Sequence, residues 1–242
     1  MQICGFNKTT LLDYPEHVAA TVFLGGCNFR CPFCHNGDLV LHPDTLPLIP
    51  MEEIRSFLKK RAHILTGVCI TGGEPTLAKE LPELIGVIRE LGLCVKLDTN
   101  GSKPDVLEHL MEEHLLDYIA MDIKGDREHY GMIAGFPDAC AHRAECPTSD
   151  FTLNLLEKSI GLIRSSGIPY EFRTTVVKEF HCRESFEEIG RWLHGSDNYF
   201  LQSYEESPHM IQKGFHGYKK EELLEFAKIL APHFHQVCVR GI

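Results

Sequence analysis

The chain carries no excess of positive charge: 24 lysines and arginines stand against 34 aspartates and glutamates, a formal net charge of −10. A general nucleic-acid binder needs a basic surface to displace counterions, so that class is set aside, a local basic patch excepted. No stretch approaches the ~20 consecutive apolar residues that span a bilayer. Met1-Gln2-Ile3-Cys4-Gly5 lacks the basic start and apolar core of an export signal. A cytoplasmic protein that binds neither membrane nor nucleic acid is therefore expected. Low-complexity tracts are absent, and no linker rich in Gly, Ser or Pro divides the sequence, so residues 1–242 read as one domain. With 43% hydrophobic and 24% charged residues, the composition suits an ordinary globular protein with a sizeable core.

Cysteine, by contrast, is plentiful, with 10 residues. Without an export signal they are hard to read as a disulfide framework, and free thiols or metal ligands are expected. Cys27, Cys31 and Cys34 fall within eight residues. Cys140, Cys146 and Cys182 are irregularly spaced, have no evident fourth ligand, and read as isolated thiols. Histidines are scattered, and His114, His129, His181 and His233–His235 read most simply as surface or loop residues.

Apolar runs and helical spacings alternate along the chain. Val18–Leu24 reads as a buried strand stopped by Gly25-Gly26. Further strands are expected at Val68–Thr71, Cys94–Leu97, Tyr118–Ile123, Tyr170–Val177, Tyr199–Leu201 and Gln236–Val239. Helices are expected at Met51–Lys60, Glu80–Leu91, Lys103–Leu116, Thr152–Ser165, Glu184–Leu193 and Lys219–Leu230, with a long loop over roughly Gly125–Asp150. Such alternation implies right-handed βαβ units and a parallel sheet. About six strand–helix pairs are fewer than the eight of a closed TIM barrel. The expected class is α/β: a partial (open) βα barrel of about six parallel strands with outer helices. Cys27–Cys34, Gly72–Glu74, Asp98–Gly101 and Asp122–Lys124 each fall at the C-terminal end of an expected strand. That rim is where parallel α/β folds bind ligands, so four loops there imply one shared site.

Thiolates as close as Cys27, Cys31 and Cys34 can wrap a metal centre. On the loop alone three readings stay open: buried thiols, a zinc ion with His35 as fourth ligand, and a four-iron cubane. A cubane normally takes four cysteines; three leave one iron open to the amino and carboxylate groups of a methionyl ligand. Gly72-Gly73-Glu74-Pro75 alone is a turn. At a strand end its glycines let backbone approach a ligand, and its carboxylate can pair with an ammonium. Lys124, two residues beyond Asp122 on an extended strand, shares its face and reads either as half of a surface salt bridge or as a ligand for a carboxylate. Arg173 lies inside an apolar strand, where an unpaired charge is costly. Its partner is either a bound ligand or a structural ion pair.

Cys-x3-Cys-x-aromatic-Cys, with Phe33 in the aromatic position, resembles the signature of the radical S-adenosylmethionine superfamily. Thr71-Gly72-Gly73-Glu74-Pro75 resembles its glycine-glycine-glutamate motif. Gly5–Pro15, Asp98-Thr99-Asn100-Gly101, Asp122-Ile123-Lys124, Phe172–Val177 and Val239-Arg240-Gly241 resemble the activating proteins of anaerobic ribonucleotide reductases, so the likeness covers nearly the whole chain. The resemblance implies a [4Fe-4S] cluster on Cys27, Cys31 and Cys34 with S-adenosylmethionine beside it. It places the Phe33 backbone against the adenine amino group and Gly72, Gly73 and Glu74 at the methionine ammonium. Asp98 and Thr99 would lie near the ribose and methionyl groups, and Lys124 at the methionine carboxylate. Asn36, Asn100, Arg173 and Gln202 join the cofactor-binding residues, and a monovalent cation would sit between Asp98 and Asp122. Ser203-Tyr204-Glu205-Glu206 is less basic than in close relatives, and Gly25 stands where they commonly carry glutamine; both bear on partner recognition rather than chemistry.

The implied activity is reductive cleavage of S-adenosylmethionine to a 5′-deoxyadenosyl radical, which installs a glycyl radical on an anaerobic ribonucleotide reductase or another glycyl-radical enzyme. Reduced flavodoxin or ferredoxin would supply the electron. One alternative is a radical enzyme acting on a peptide or a small molecule, in the manner of 7-carboxy-7-deazaguanine synthase. Another is a non-enzymatic metal or electron-transfer module, which predicts zinc or a fully protein-ligated cluster. No acid–base pair or activated serine is expected.

Overall fold

The computed structural model describes residues 1–136 and 147–241. Eight strands form one sheet in plain chain order: β1 (Ile3–Thr10), β2 (Ala19–Leu24), β3 (Gly67–Gly72), β4 (Cys94–Thr99), β5 (Tyr118–Asp122), β6 (Tyr170–Val176), β7 (Ser196–Ser203) and β8 (Phe234–Arg240). β1 runs antiparallel to β2, and each later pair of neighbours is parallel. Between the strands lie α1 (Gly37–Leu41), α2 (Met51–Arg61), α3 (Leu81–Glu90), α4 (Pro104–Glu112), α5 (Tyr130–Ile133), α6 (Pro147–Ser165), α7 (Arg183–Trp192) and α8 (Lys220–Leu230). The two edge strands, β1 and β8, do not pair with one another, so the barrel stays open. Among the described residues no helix is long and apolar enough to cross a membrane.

The strand alternation separates two chemistries. Val22, Ile70, Leu97 and Ile119 stand in register on one face, all fully buried in the core that α3 and α4 share through Leu84, Ile88, Leu107 and Leu110. Each such side chain contributes roughly 1.5–3 kcal/mol when fully buried. On the other face Thr21, Cys69, Lys96 and Tyr118 stand in register, followed by Asp98, Glu171 and Arg173. Contacts there skip a strand: Arg173 of β6 reaches Asp98 of β4, and Arg240 of β8 reaches Glu171 of β6. That face is therefore the concave interior, and it is polar.

The open-barrel expectation holds, with seven parallel strands rather than about six and an antiparallel strand, β1, ahead of them. β1 is half exposed and carries Gly5, Asn7 and Lys8, so it lacks the apolar alternation by which a strand is recognised. The loop expected over roughly Gly125–Asp150 contains α5 and the start of α6. Cys140 and Cys146 lie outside the described residues, and Cys182 is an exposed free thiol.

Candidate functional site

At the C-terminal ends of β2–β7 lies a cavity of about 210 Å³. It is lined by Cys27, Cys31, Phe33, Cys34, Asn36, Gly72, Gly73, Asp98, Thr99, Asn100, Asp122, Lys124, Arg173 and Gln202, all singled out from the sequence. Phe29, His35, Val40, Thr71 and Thr175 complete the wall. Glu74 does not line it. Glu74 is 2% exposed. Its Oε1 accepts from Thr76 N–H (3.1 Å), the Thr76 hydroxyl (2.5 Å) and the Thr99 hydroxyl (2.8 Å), and its Oε2 accepts from Asn100 N–H (2.6 Å). Burial raises its pKa, opposed by those same donors. In this structure the carboxylate joins the loop after β3 to the end of β4.

Close backbone contact explains the two glycines. Gly73 N–H donates to the Leu24 carbonyl (2.8 Å) and Glu74 N–H to the Gly26 carbonyl (2.8 Å). A Cβ on Gly73 would fall 1.9 Å from the Gly26 oxygen, and one on Gly72, whose φ is +123°, 2.3 Å from the Leu24 oxygen. Only glycine fits at either position. Asn36 adds a hydrogen bond to the Gly72 carbonyl (2.8 Å), so the loops after β2 and β3 form one interlocked surface.

The cysteine loop is held from below by α5, where Arg30 N–H donates to the Ala134 carbonyl (2.9 Å). Phe29 N–H donates to Cys27 Sγ at 3.3 Å. Burial pushes the Cys27 thiol up to about 11 and the Cys31 thiol to about 12. The Cys34 thiol is raised for the same reason, and Lys124 is the strongest influence lowering both Cys31 and Cys34.

Behind the thiols runs a chain of buried ion pairs. Arg173 donates through Nε to Asp122 Oδ1 (2.6 Å) and through a terminal nitrogen to Asp98 Oδ2 (3.0 Å). Lys124 Nζ donates to Asp122 Oδ2 (3.0 Å), and Lys96 donates to Asp98 Oδ1. Burial alone would raise Asp122, but Arg173 and then Lys124 outweigh it and hold the carboxyl well below the usual range. Asp98 is likewise lowered, by Arg173 and Lys96 against burial. All four oxygens of the two aspartates are thus engaged by cationic side chains. The two aspartates named for a monovalent cation are each bridged by two cationic side chains of this chain. Arg173 has the structural ion pair as its partner.

His181, read from the sequence as a surface or loop residue, is 1% exposed. Val177 N–H donates to its Nδ1 (3.1 Å) and its Nε2 lies 2.8 Å from the Lys124 carbonyl. Burial lowers its pKa, so a neutral ring carrying the Nε2 proton fixes the Lys124 backbone. Tyr130, hidden in the presumed loop, is fully buried and donates to the Asp122 carbonyl (3.3 Å). No spacing in the sequence announces either residue. Lys96 was detectable in principle, being a charge in the apolar run of β4.

Three thiols around one cavity suit an iron–sulfur cluster, in which each cysteine takes a separate iron. A tetrahedral zinc site needs its donors converged on one point. Among the described residues no group of three or more His, Cys, Asp or Glu side chains is so converged, and His35 is exposed. The donor set fits the cluster and does not form the zinc site.

Fold and site together define an open βα-barrel protein with a thiol-lined rim. The family model of the radical SAM superfamily matches residues 21–193, and the chain belongs to that superfamily. It is 31% identical, over 99% of its own length and 96% of the other, to a Methanocaldococcus jannaschii protein provisionally named a glycyl-radical enzyme activating enzyme. A Pyrococcus abyssi protein provisionally named a GTP 3′,8-cyclase is 33% identical over only 46% of this chain and 36% of that one. Among solved structures, Streptococcus suis SuiB superposes with a TM-score of 0.65 at 15% identity, covering 91% of this chain and 48% of SuiB. The structure of anSMEcpe with bound AdoMet gives 0.58 at 18% identity, covering 90% and 62%. The chain spans about half the length of SuiB, and both likenesses concern the fold. Membership makes the chain a radical S-adenosylmethionine enzyme, a class that works with a [4Fe-4S] cluster and S-adenosylmethionine.

Proposed function

We propose that this enzyme activates a glycyl-radical enzyme, an anaerobic ribonucleotide reductase, receiving its electron from reduced flavodoxin or ferredoxin. The observation that carries the reading is the convergence of Cys27, Cys31, Cys34 and Lys124 on one cavity, in a chain alike over nearly its full length to a protein named for that activity. Bound there, a reduced [4Fe-4S] cluster and S-adenosylmethionine supply a 5′-deoxyadenosyl radical able to take a hydrogen atom from a glycine Cα. The residues of this chain bind, orient and shield. Cys27, Cys31 and Cys34 would hold the cluster, and the backbone at Phe33 and at Gly72-Gly73, which lines the same cavity, would meet the cofactor's polar edges. Lys124 keeps two of its three ammonium hydrogens beyond the one it gives Asp122, and these suit a carboxylate. The gap between β1 and β8 admits a loop of the partner, which supplies the glycine and excludes water at once.

Partial-length likeness to a cyclase favours a small nucleotide substrate less than near-complete likeness favours a protein substrate. The deciding experiment reconstitutes the protein anaerobically, adds S-adenosylmethionine and a flavodoxin reducing system, and then adds a candidate reductase. Expected are 5′-deoxyadenosine and a glycyl doublet in the electron paramagnetic resonance spectrum, both lost in Cys27→Ala/Cys31→Ala/Cys34→Ala. Production of 5′-deoxyadenosine without a doublet on any reductase tried would reject the activase reading. Retention of cleavage in the triple variant would reject the site itself.

A further inference from the structure

Asn100 follows β4, 5% exposed, with its backbone N–H and both side-chain polar atoms committed. Its backbone N–H donates to Glu74, and its Oδ1 accepts from Ser102 N–H at 2.9 Å. That second bond fixes which end of the amide is which, since a flipped amide would set donor against donor. Nδ2 then faces the cysteine loop, 2.9 Å from Asn28 Oδ1 and 3.8 Å from Cys27 Sγ. Asn28 is itself anchored, donating to the Ser102 hydroxyl at 2.8 Å. One Nδ2 hydrogen is therefore taken by Asn28, and the other is directed at the sulfur.

The three sulfurs are unequal in this respect, and Cys34 Sγ accepts from the Asn36 backbone N–H. Cys27 Sγ receives Phe29 N–H as well as the Asn100 amide. The neighbour of Cys31 Sγ is an acceptor, the Ala134 carbonyl at 3.7 Å, which offers a thiolate nothing. Donors to a ligating sulfur withdraw electron density and stabilise the reduced, more negative cluster, raising its potential. Partial burial strengthens the effect, because a lower local dielectric makes each such bond electrostatically stronger.

We propose that Asn100 is a positioning residue that sets the reduction potential of the cluster, through a hydrogen bond from its side-chain amide to the Cys27 sulfur. The inference rests on the reading of Cys27, Cys31 and Cys34 as cluster ligands. It gives Asn100 a role exerted through the cluster rather than through contact with substrate.

The test reconstitutes wild type, Asn100→Ala and Asn100→Ser anaerobically. It measures iron content, the midpoint potential by redox titration, and exchangeable deuterons near the reduced cluster by pulsed electron paramagnetic resonance in D2O. Both Asn100 variants are uncharged, so no shift can arise from an added charge. Serine retains an oxygen that can accept Ser102 N–H in a turn of the same kind, yet is too short to reach Cys27. The expected result is full iron content with a lower potential in both Asn100 variants. At the same applied potential the ratio of reduced to oxidised cluster falls roughly tenfold. One deuteron coupling disappears. Unchanged potential and couplings in iron-replete Asn100 variants overturn the proposal. Should those variants fail to hold iron, the wild-type spectrum decides: coupled deuterons fully accounted for by Phe29 N–H and Asn36 N–H overturn it, and one more supports it. A wild-type protein that takes up no cubane at all rejects the cluster reading instead, which is a separate outcome.

Discussion

Replacing Arg173 with methionine tests the buried charge chain. The side chain is 13% exposed and bridges Asp98 and Asp122, with Glu171 at 4.0 Å from its remaining nitrogen. Methionine keeps the apolar stem and removes both charge-assisted bonds. Removing one partner of a buried pair costs about 3–5 kcal/mol, because the other charge stays in place unpaired. Here each carboxylate keeps one cation, Lys96 for Asp98 and Lys124 for Asp122, so the lower end applies: about 3 kcal/mol at pH 7.

The sign of the pH dependence follows from the depressed carboxyls. Asp98 and Asp122 titrate lower in the folded protein than unfolded. Their contribution is fully present above the unfolded value, about 4, and is lost as the pH falls through the folded one. Without Arg173 both folded values rise, so the variant loses less on acidification than wild type. The stability gap should narrow by up to about 1 kcal/mol per carboxylate between pH 7 and pH 3. Urea unfolding of the metal-free protein, followed by the fluorescence of its one tryptophan, Trp192, measures both quantities. A gap below about 1 kcal/mol at pH 7, or one that widens in acid, refutes the electrostatic account.

Arg240→Ala removes a two-pronged contact to the fully buried Glu171, at 2.7 and 2.8 Å. It leaves that carboxylate the Tyr118 hydroxyl at 3.0 Å; about 2–3 kcal/mol of stability should be lost. Adding Glu171→Gln should restore part of it, and a coupling energy under about 0.5 kcal/mol in the double-mutant cycle would contradict the pairing. Because burial raises the cluster thiols, they stay protonated near neutrality, and cluster assembly should release about three protons from these ligands, beyond those shed by the hydrosulfide that supplies the inorganic sulfur, and strengthen as pH rises from 7 to 9. Thiolate ultraviolet absorbance of the metal-free protein against pH, taken as a difference from the triple alanine variant, reads this directly, and full thiolate absorbance at pH 7 would show the thiolates preformed. Glu74→Gln, though isosteric, sets an amide donor against a backbone or hydroxyl donor and should cost about 2 kcal/mol. Thermal unfolding within 1 °C of wild type would mean the four hydrogen bonds do not hold this carboxylate.

How much the sequence disclosed follows from the range of each interaction. Helices such as Leu81–Glu90 and strands such as Ala19–Leu24 announce themselves because their apolar spacing is local. The rim site was legible for a related reason. Its residues end consecutive parallel strands, so chain order alone brings Cys27, Gly72, Asp98 and Asp122 to one side. What stayed hidden depends on distant partners. Arg173 finds its acids 51 and 75 residues away, and only the structure chooses between a ligand and an ion pair for it. His181 was misjudged, since an apparently idle histidine is buried and supports Lys124, and no local spacing shows that the Glu74 carboxylate also ties backbone together.

The charge chain also explains why a lysine, not an arginine, stands at residue 124. From Lys96 through Asp98, Arg173 and Asp122, cations and anions alternate, and the series terminates at the rim in a cation, Lys124. A carboxylate at that end would raise the three thiols further and oppose their ionisation, whereas the ammonium lowers Cys31 and Cys34 against burial. Arginine would spread its charge over a planar fork suited to a fixed two-point partner. A compact, rotatable ammonium can hold Asp122 with one hydrogen and turn the others toward whichever anion, thiolate or ligand carboxylate, enters the cavity. The interior network thus leaves its one uncompensated positive end where negative charge must be gathered.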